Sequence, residues 1–503
     1  MTSRTNKAVK GTITSLVQFG VLVILQTVLT PAILKIAGQE VLGAYSIVMQ
    51  IIGYGLILDF GLGVALSRYL SQSFGDNDKG TKFIKIFNIG RYFILSTNTL
   101  LSIFIMVLAF KTESLITGSH VIIADARIAL YLLSAWTIIR TPLVMYGHGL
   151  HASQNMATAN IIGLIGSVSR LGLSLYLVFT GYGLIGLVGA NVISELISLL
   201  LQKICFKKLY PQLNLHWRRP DIPLLKKLFA FGLTYWGVNI ATVLTVGSDS
   251  IIIGHLYGAA AAAIFYTTKI PSFLIIQVIY KISDNAGPAA NELLAQGHLD
   301  ALKTAYLKIL RYSLLLAVPL AIGIVGFNKG VITTWVGVTQ YAGNLMSLAL
   351  AGFVLTQVIS HINAMITLAA GNMRNWMTIS VAIGLMTITL AYTLGKFYGM
   401  QWVMVAIALM DIPGFVFLIR RCFAGLGLSY KRALREAVLP VLLATLPLFG
   451  WVGFVIATDQ AANLLSLITC IVIFSFLWLL GLYIFGINKT ERRTIKNKFY
   501  LIG

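Results

Sequence analysis

Residues 41–70 read VLGAYSIVMQIIGYGLILDFGLGVALSRYL, and this stretch decides the fold class. Its only acidic or basic side chains are those of Asp59 and Arg68. The stretch is longer than the roughly 20 residues that a helix needs to cross the hydrocarbon core of a bilayer. Similar apolar runs recur along the whole chain, separated by short polar connections. The pattern predicts a protein that crosses a membrane many times.

The composition of the chain supports the same prediction. Of its 503 residues, 57% are apolar and only 11% are charged, whereas a soluble domain averages about 45–50% and about 25%. These values exclude a soluble protein and a disordered chain. About 14 spans of roughly 20–25 residues each would leave only short connections. We therefore expect no soluble catalytic domain and no enzymatic activity.

The predicted fold is an all-α integral membrane protein with about 14 transmembrane helices. The predicted helices are 11–37, 41–70, 83–110, 121–147, 157–180, 183–205, 228–258, 259–287, 306–327, 342–370, 376–399, 400–419, 437–457 and 462–487.

Basic residues define the predicted topology. The net charge of +22 would suit a nucleic-acid partner, but the basic residues recur at the ends of alternate apolar runs instead of forming one patch. The connections on one side hold 27 Lys and Arg residues and those on the other side hold 3. Such an asymmetry is the positive-inside pattern of membrane proteins. It predicts cytoplasmic termini and no nucleic-acid partner.

A weak internal repeat predicts two parallel lobes. KIAGQEVLGAYSIVMQIIGYGLI, at residues 35–57, is similar to HLYGAAAAAIFYTTKIPSFLIIQ, at residues 255–277. An even number of helices separates the copies, so both enter the membrane in the same direction, and a substrate site is expected between two six-helix lobes around a central cavity. The predicted divisions are an N-terminal lobe at 1–208, a basic linker at 209–227, a C-terminal lobe at 228–425, two accessory helices within 426–487 and a basic tail at 488–503.

Arg170 is a charged side chain near the middle of the fifth predicted helix. Ionisable groups at that depth are costly and usually face a cavity or a partner. Arg170 shares a helix face with four small residues: Gly163, Gly166, Ser167 and Ser174. The face suits either a polar cavity or close helix packing.

Two further cations have similar alternatives. Lys269, two residues before Pro271, either faces a cavity or pairs with an acid such as Glu195 or Asp249. Arg140 either lines the inner mouth of a cavity or extends to the lipid headgroups.

Acidic side chains complete the candidate site. Asp59 and Arg68 lie on opposite faces of a regular helix and would pair only if Gly61 and Gly63 distort it. The proposed substrate-binding residues are Arg170, Lys269, Arg140, Asp59, Arg68 and Asp249. An excess of cations at mid-depth suits an anionic substrate, since Arg binds phosphate oxygens bidentately.

Several other groups carry weaker expectations. Lys281 and Asp284 are three residues apart and are expected to pair with each other, and Asp411 beside Pro413 is expected to mark a kink. The histidines have no metal-binding spacing and are interpreted as loop or core residues. With no phosphate loop and no metal-binding cluster in the sequence, we expect no metal, no cofactor and no ATP hydrolysis.

Four segments resemble the polysaccharide-transport family, the flippases of lipid-linked sugars. They are GAYSIVMQIIGYGLILDFGLGVALSRYLSQ at 43–72, SDSIIIGHLYG at 248–258, IFYTTKIPS at 264–272 and GPAANELLAQG at 287–297. The family belongs to a superfamily that also contains multidrug antiporters and the peptidoglycan-precursor flippase.

The resemblance implies a flippase of the O-antigen type in the bacterial inner membrane. Such a protein moves a polyprenyl-pyrophosphate-linked oligosaccharide from the cytoplasmic to the outer leaflet by alternating access. Arg170, Lys269 and Arg140 would then balance the pyrophosphate charge. Implied partners are the lipid-linked oligosaccharide, membrane lipids, glycan polymerase machinery and a coupling ion, H⁺ or Na⁺, bound through Asp59 or Asp249.

Two other functions remain as alternatives. A multidrug or cation antiporter of the same fold typically carries a carboxylate in helix 1, which residues 11–37 lack. A membrane glycosyltransferase or polymerase would need large outward loops with catalytic residues, and the predicted outward loops are short. The peptidoglycan-precursor flippase carries a cavity cation in helix 1, whereas residues 11–37 here have no basic side chain before Lys35.

Overall fold

The computed structural model describes residues 2–73, 80–153, 155–213, 215–217, 219–369, 375–461, 463–487 and 491. Every regular element within these ranges is helical, which confirms the all-α fold class. Twelve helices in the described part of the chain are long and apolar enough to cross a membrane. The total of 14 spans stays a prediction.

Ten helices lie among the described residues before position 210. They are α1 (Thr2–Ile36), α2 (Gln39–Gly53), α3 (Gly55–Leu58), α4 (Leu62–Ser73), α5 (Thr81–Phe110), α6 (Thr112–Leu115), α7 (His120–Ile139), α8 (Thr141–Ala152), α9 (Met156–Phe179) and α10 (Gly183–Leu209).

In the described ranges after the linker there are nine α-helices. They are α11 (Ile222–Val246), α12 (Asp249–Ala295), α13 (Leu299–Val336), α14 (Asn344–Ala369), α15 (Trp376–Tyr398), α16 (Gln401–Leu426), α17 (Tyr430–Ala433), α18 (Leu439–Thr458) and α19 (Leu464–Gly481). A 3-10 turn at Val338–Gln340 and π-helical turns at Leu434–Val438 and Leu482–Gly486 join or extend them.

Two predicted helices are interrupted. The prediction of one helix over 41–70 is wrong, because Phe60 and Gly61 adopt positive φ values of 46° and 69° and separate α3 from α4. The predicted helix at 121–147 is divided at Arg140, where Pro142 enters the first turn of α8. Proline has no N–H to donate to the preceding turn, so this position favours a new helix start.

The seventh and eighth predicted helices also differ from the structure. α11 ends at Val246 and a new helix starts at Asp249, whereas the sequence predicted one helix over 228–258. The backbone then kinks inside α12 at Gly258, where φ is 87° and ψ is 171°. The predicted division at 258/259 therefore coincides with a kink.

The chain forms two compact units. The first comprises Met1–Ile264 with Trp376–Ile388, and the second comprises Phe265–Asn375 with Thr389–Gly503. The prediction of lobes at 1–208 and 228–425 remains a prediction.

Aromatic packing fixes the first unit at one end of α5. Phe83 and Phe206 stack with ring centroids 5.9 Å apart, and Phe87 meets Tyr146 edge-on at 5.5 Å. Each such pair contributes about 0.5–1.5 kcal/mol beyond its buried area. The buried rings therefore hold α5, α8 and α10 together.

Small residues allow close helix approach in both units. A Cβ added at Gly43 of α2 would lie 1.7 Å from the carbonyl oxygen of Ala259 in α12. In the second unit, a Cβ at Gly481 of α19 would lie 2.0 Å from the carbonyl oxygen of Ala444 in α18. Small residues at such contacts let membrane helices pack backbone to backbone.

Candidate functional site

A cavity of about 510 Å³ lies inside the first unit. Its walls come from α2–α5, α8 and α10 and from the two helix interruptions. The polar and charged lining residues are Asp59, Thr97, Asn98, Arg140, His148, His151, Glu195 and Gln202. A polar cavity surrounded by apolar membrane-spanning helices is the natural candidate for a binding site.

Asp59 stabilises the first helix interruption and borders the cavity. Its Oδ2 accepts a hydrogen bond from the backbone N–H of Gly63, at 3.0 Å, in the first turn of α4. Trp236 of α11 donates its indole N–H to the carbonyl oxygen of Ile57 at 2.6 Å. Because helix ends leave backbone groups without partners, these two bonds support a break that lipid alone would not tolerate.

α11 packs against the same interruption through a close backbone contact. A Cβ added at Gly61 would lie 2.1 Å from the carbonyl oxygen of Gly232. Gly61 also has φ of 69°, a left-handed conformation that side chains rarely adopt. From the sequence, a distortion at Gly61 and Gly63 was expected only as a condition for Asp59 to pair with Arg68. In the structure, Arg68 lies exposed on α4.

The second interruption carries an ion pair. Arg140 donates from Nη1 to Glu195 Oε1 at 2.9 Å, and Trp136 donates its indole N–H to Glu195 Oε2 at 2.7 Å. The Arg140 side chain is 24% exposed and that of Glu195 is 31% exposed. Both oxygens of the carboxylate are therefore engaged, and the pair presents a largely neutralised surface to the cavity.

Several polar residues of the cavity were missed by the sequence analysis. Asn98 of α5 donates to the Thr141 hydroxyl at 2.9 Å, which ties α5 to the start of α8. His148 and His151 line the cavity, although the sequence favoured loop or core positions. The available signals were the adjacent Thr97 and Asn98 on α5 and the three-residue spacing of His148 and His151 on α8, but neither helix contains an acidic residue.

The cavity contains two carboxylates and one arginine. With neutral histidines its formal charge is therefore negative, which differs from the cationic site that the sequence predicted. Among the described residues there is no group of three His, Cys, Asp or Glu side chains that would hold a metal ion. The arrangement provides hydrogen-bond acceptors at Asp59 and Glu195 and amide donors at Asn98 and Gln202.

Arg170 lies outside the set of residues that line this cavity. Its face packs partly against neighbours, since a Cβ at Gly163 would meet Gln18 of α1 and one at Gly166 would meet Ser198 of α10. These contacts support close packing for the glycines. Arg170 itself is half-buried, and its charge interacts with the Tyr45 hydroxyl of α2.

Lys269 is buried in the second unit. Its side chain is 6% exposed, and its ammonium lies 5.2 Å from the ring centre of Phe273 and 5.9 Å from that of Phe265. Aromatic faces attract a cation more strongly when water is excluded. Of the two acids suggested as its partner, Glu195 bonds to Arg140.

Asp249 lies at the start of α12 and is 2% exposed. Gln50 of α2 donates its amide to Asp249 Oδ1. The Gln50 Oε1 accepts from the backbone N–H groups of Ser250, at 3.0 Å, and Ile251, at 3.3 Å. Gln50 therefore caps α12 from a neighbouring helix, and Asp249 belongs to that structural cap.

Solved structures share this fold. The lipid II flippase MurJ, in an inward closed conformation, matches with a TM-score of 0.68 and 17% identity over 94% of this chain and 98% of that chain. An inward-facing multidrug resistance MATE family transporter of the MOP superfamily matches with a TM-score of 0.66 and 17% identity, over 80% of this chain and 96% of that one.

Sequence comparison adds a curated relative and a family. The uncharacterized membrane protein EpsK of Bacillus subtilis (strain 168) is 22% identical over 337 residues. That alignment spans 64% of this chain and 64% of EpsK. The model of the family described as polysaccharide biosynthesis protein matches residues 38–342. This match covers more than half of the sequence, and the chain, a multi-pass membrane protein, therefore belongs to the polysaccharide biosynthesis protein family.

Proposed function

We propose that the protein flips a polyprenyl-pyrophosphate-linked oligosaccharide from the cytoplasmic to the outer leaflet of a bacterial inner membrane by alternating access. The observation that carries the proposal is the polar cavity inside a bundle of membrane-spanning helices, in a chain of the polysaccharide biosynthesis family. The fold shared with the lipid II flippase supports it. The family and the fold relatives indicate transport, so we infer no catalytic role.

The chemistry of the cavity suits part of a glycan. Sugar hydroxyls donate hydrogen bonds to carboxylates and accept them from amides, and Asp59, Glu195, Asn98 and Gln202 offer both kinds of group. Its volume of about 510 Å³ lies in the usual range of small-molecule sites. Because Arg140 is neutralised by Glu195, the cavity has no surplus positive charge that would hold a pyrophosphate strongly.

We therefore propose that Arg170 and Lys269 balance the negative charge of the pyrophosphate. Arg170 is half-buried near Tyr45, and Lys269 is buried among aromatic rings. A cation shielded from water interacts more strongly with an anion than an exposed cation does. With cytoplasmic termini, as the positive-inside pattern predicts, an interior-negative potential would assist outward movement by about 2.3 kcal/mol per charge per 100 mV.

Flipping by purified protein in proteoliposomes tests this assignment. The substrate is a fluorescent polyprenyl-pyrophosphate-linked oligosaccharide, and a membrane-impermeant quencher reports the leaflet it occupies. We expect Arg170→Gln and Lys269→Gln to flip more slowly per molecule, with Lys269→Arg retaining more activity than Lys269→Gln. Arg127→Gln, which removes a partly exposed cation from α7, is the matched control. Normal rates in both Gln variants would reject the electrostatic role.

A cation antiporter of the same fold is the second candidate, and one observation favours it. The cavity has two carboxylates for one arginine, which suits a positively charged solute. Uptake of an organic cation by the same proteoliposomes under a pH gradient, with no flipping of the lipid-linked glycan, would replace the flippase proposal by this one.

A further inference from the structure

Asp411 of α16 carries a buried carboxylate oxygen that the proposed glycan cavity does not use. Its Oδ1 accepts a hydrogen bond from the side-chain amide of Gln357 in α14, at 2.9 Å. Its Oδ2 is buried and has no hydrogen-bond partner. Thr356 is a neighbour, but its hydroxyl donates to the carbonyl oxygen of Phe353 at 3.1 Å. The carboxylate is therefore only half satisfied.

A chain of side chains connects Asp411 to a half-exposed ion pair. Tyr280 of α12 donates its hydroxyl to Gln357 Oε1 at 2.9 Å. The Tyr280 ring stacks on His361 of α14, with centroids 3.8 Å apart and planes inclined by 10°. His361 Nε2 in turn lies 2.7 Å from Asp284 Oδ1, and these side chains are 28% and 54% exposed.

The sequence predicted different roles for these groups. It favoured a pair between Lys281 and Asp284, but Asp284 instead bonds to His361, and Lys281 is exposed. It interpreted Asp411 as the mark of a kink beside Pro413, which lies inside α16 between Gln401 and Leu426, and the kink stays a prediction. α12, α14 and α16 of the second unit thus bring two carboxylates, an imidazole and a phenol into one cluster.

We propose that this cluster is a proton-binding site, with Asp411 Oδ2 as the acceptor and the His361–Asp284 pair as its water-exposed end. An ionised carboxylate without full hydrogen bonding is costly to bury, and a proton removes that cost. The net step takes one proton from hydronium, leaves one water molecule and converts the Asp411 carboxylate to a carboxylic acid. Among the described residues, the titratable groups connected to this site are Tyr280 and Asp284 from α12 and His361 from α14.

A proton suits the cluster better than a sodium ion does. Sodium would require several oxygen ligands, but the Gln357 group directed at Asp411 is the amide donor, and its oxygen accepts from Tyr280 instead. The described residues also include no three-membered cluster of metal-ligating side chains. We infer that the proton couples glycan flipping to the pH gradient, and this part rests on the proposed function.

Infrared difference spectroscopy of the full-length protein in lipid nanodiscs tests proton binding without any transport. Spectra recorded at acidic and alkaline pH should show the high-frequency band of a protonated carboxyl group shielded from water. Asp411→Asn should remove one component of this band and Asp411→Glu should shift that component, whereas Asp59→Asn and Asp249→Asn should keep it. The control Asp300→Asn, at a side chain 95% exposed, should leave the band unchanged. A band of the same intensity and frequency in the wild type and in Asp411→Asn overturns the proposal, as does a carboxylate shift that follows sodium concentration at fixed pH.

Flipping in proteoliposomes then tests coupling. An imposed pH gradient should change the flipping rate of the wild type and of Asp300→Asn but not that of Asp411→Asn. An equal response in Asp411→Asn overturns the coupling even if the infrared result holds. A wild type that flips no glycan at all overturns the proposed function and the coupling together, whereas the infrared spectra still decide whether Asp411 binds a proton.

Discussion

The ion pair between Arg140 and Glu195 offers the sharpest prediction about the cavity. Changing Arg140 to Gln leaves the Glu195 carboxylate with only the Trp136 indole as a charge-stabilising partner. Changing Glu195 to Gln leaves the guanidinium beside a neutral amide. Each single variant therefore removes one charge and leaves the other without its ion-pair partner in a poorly hydrated environment, whereas the double variant removes both charges.

The expected energies follow from the geometry. Two unit charges 2.9 Å apart attract by about 6 kcal/mol at an effective dielectric constant of roughly 20, and desolvation offsets part of this. Breaking a buried pair costs about 3–5 kcal/mol, and the partial exposure of this one reduces the cost. We expect each single variant to lose about 2–4 kcal/mol, and the double variant to lose less than the two losses added together.

Thermal unfolding of purified protein in one detergent measures this pattern. Both single variants should melt several degrees below the wild type, and the double variant should melt above at least one of them. Arg127→Gln is the matched control, because Arg127 and Glu113 form a pair at 2.8 Å that is 37% and 74% exposed and worth at most about 1 kcal/mol. Strictly additive losses in the double variant would refute the pairing argument.

Three further predictions concern the helix interruption and the topology. Gly61→Ala should strongly reduce the yield of folded protein on size-exclusion chromatography, because its Cβ would clash with Gly232. The control Gly172→Ala, in open space, should not reduce the yield. Equal yields of the two variants would contradict the close contact. Asp59→Ala should lower the melting temperature by the loss of a cap worth about 1 kcal/mol, and Asp59→Asn, which keeps an acceptor, should lower it less; the reverse order would exclude the capping role. A periplasm-activated reporter fused after Gly503 should stay silent, and a strong signal there would invert the predicted topology.

The fold class could be predicted from the sequence because it depends on the length and hydropathy of apolar segments, which are similar along the whole chain. Apolar runs long enough to cross a bilayer recur through the chain, and lipid forces each of them to satisfy its own backbone as a helix. The resemblance to the flippases was also confirmed, since the motifs around Gly43 and Asp59 lie in the segment that the family model covers.

The interruptions could not be predicted in the same way. The hydropathy pattern does not reveal the backbone turn at Phe60 and Gly61, because the residues on both sides are apolar except for Asp59. The break depends on Trp236 and Gly232, which come from a helix more than 150 residues later. Only tertiary contacts could show that this break is supported.

The ion-pair partners of the charged residues could not be predicted from the sequence either. Glu195 was considered a partner for Lys269, yet it bonds to Arg140. Asp284 was matched with Lys281 by spacing, yet it bonds to His361. Spacing along a helix identifies neighbours on that helix, but these bonds join different helices, whose register no single sequence reveals.

One measurement tests the central claim most directly. Purified wild-type protein is reconstituted in liposomes that contain a fluorescent polyprenyl-pyrophosphate-linked oligosaccharide, and an impermeant quencher follows its movement between leaflets. The flippase proposal predicts that the quenched fraction rises with time well above that of protein-free liposomes and of liposomes that contain an unrelated membrane protein. Movement no faster than in those controls, under both a membrane potential and a pH gradient, would contradict it.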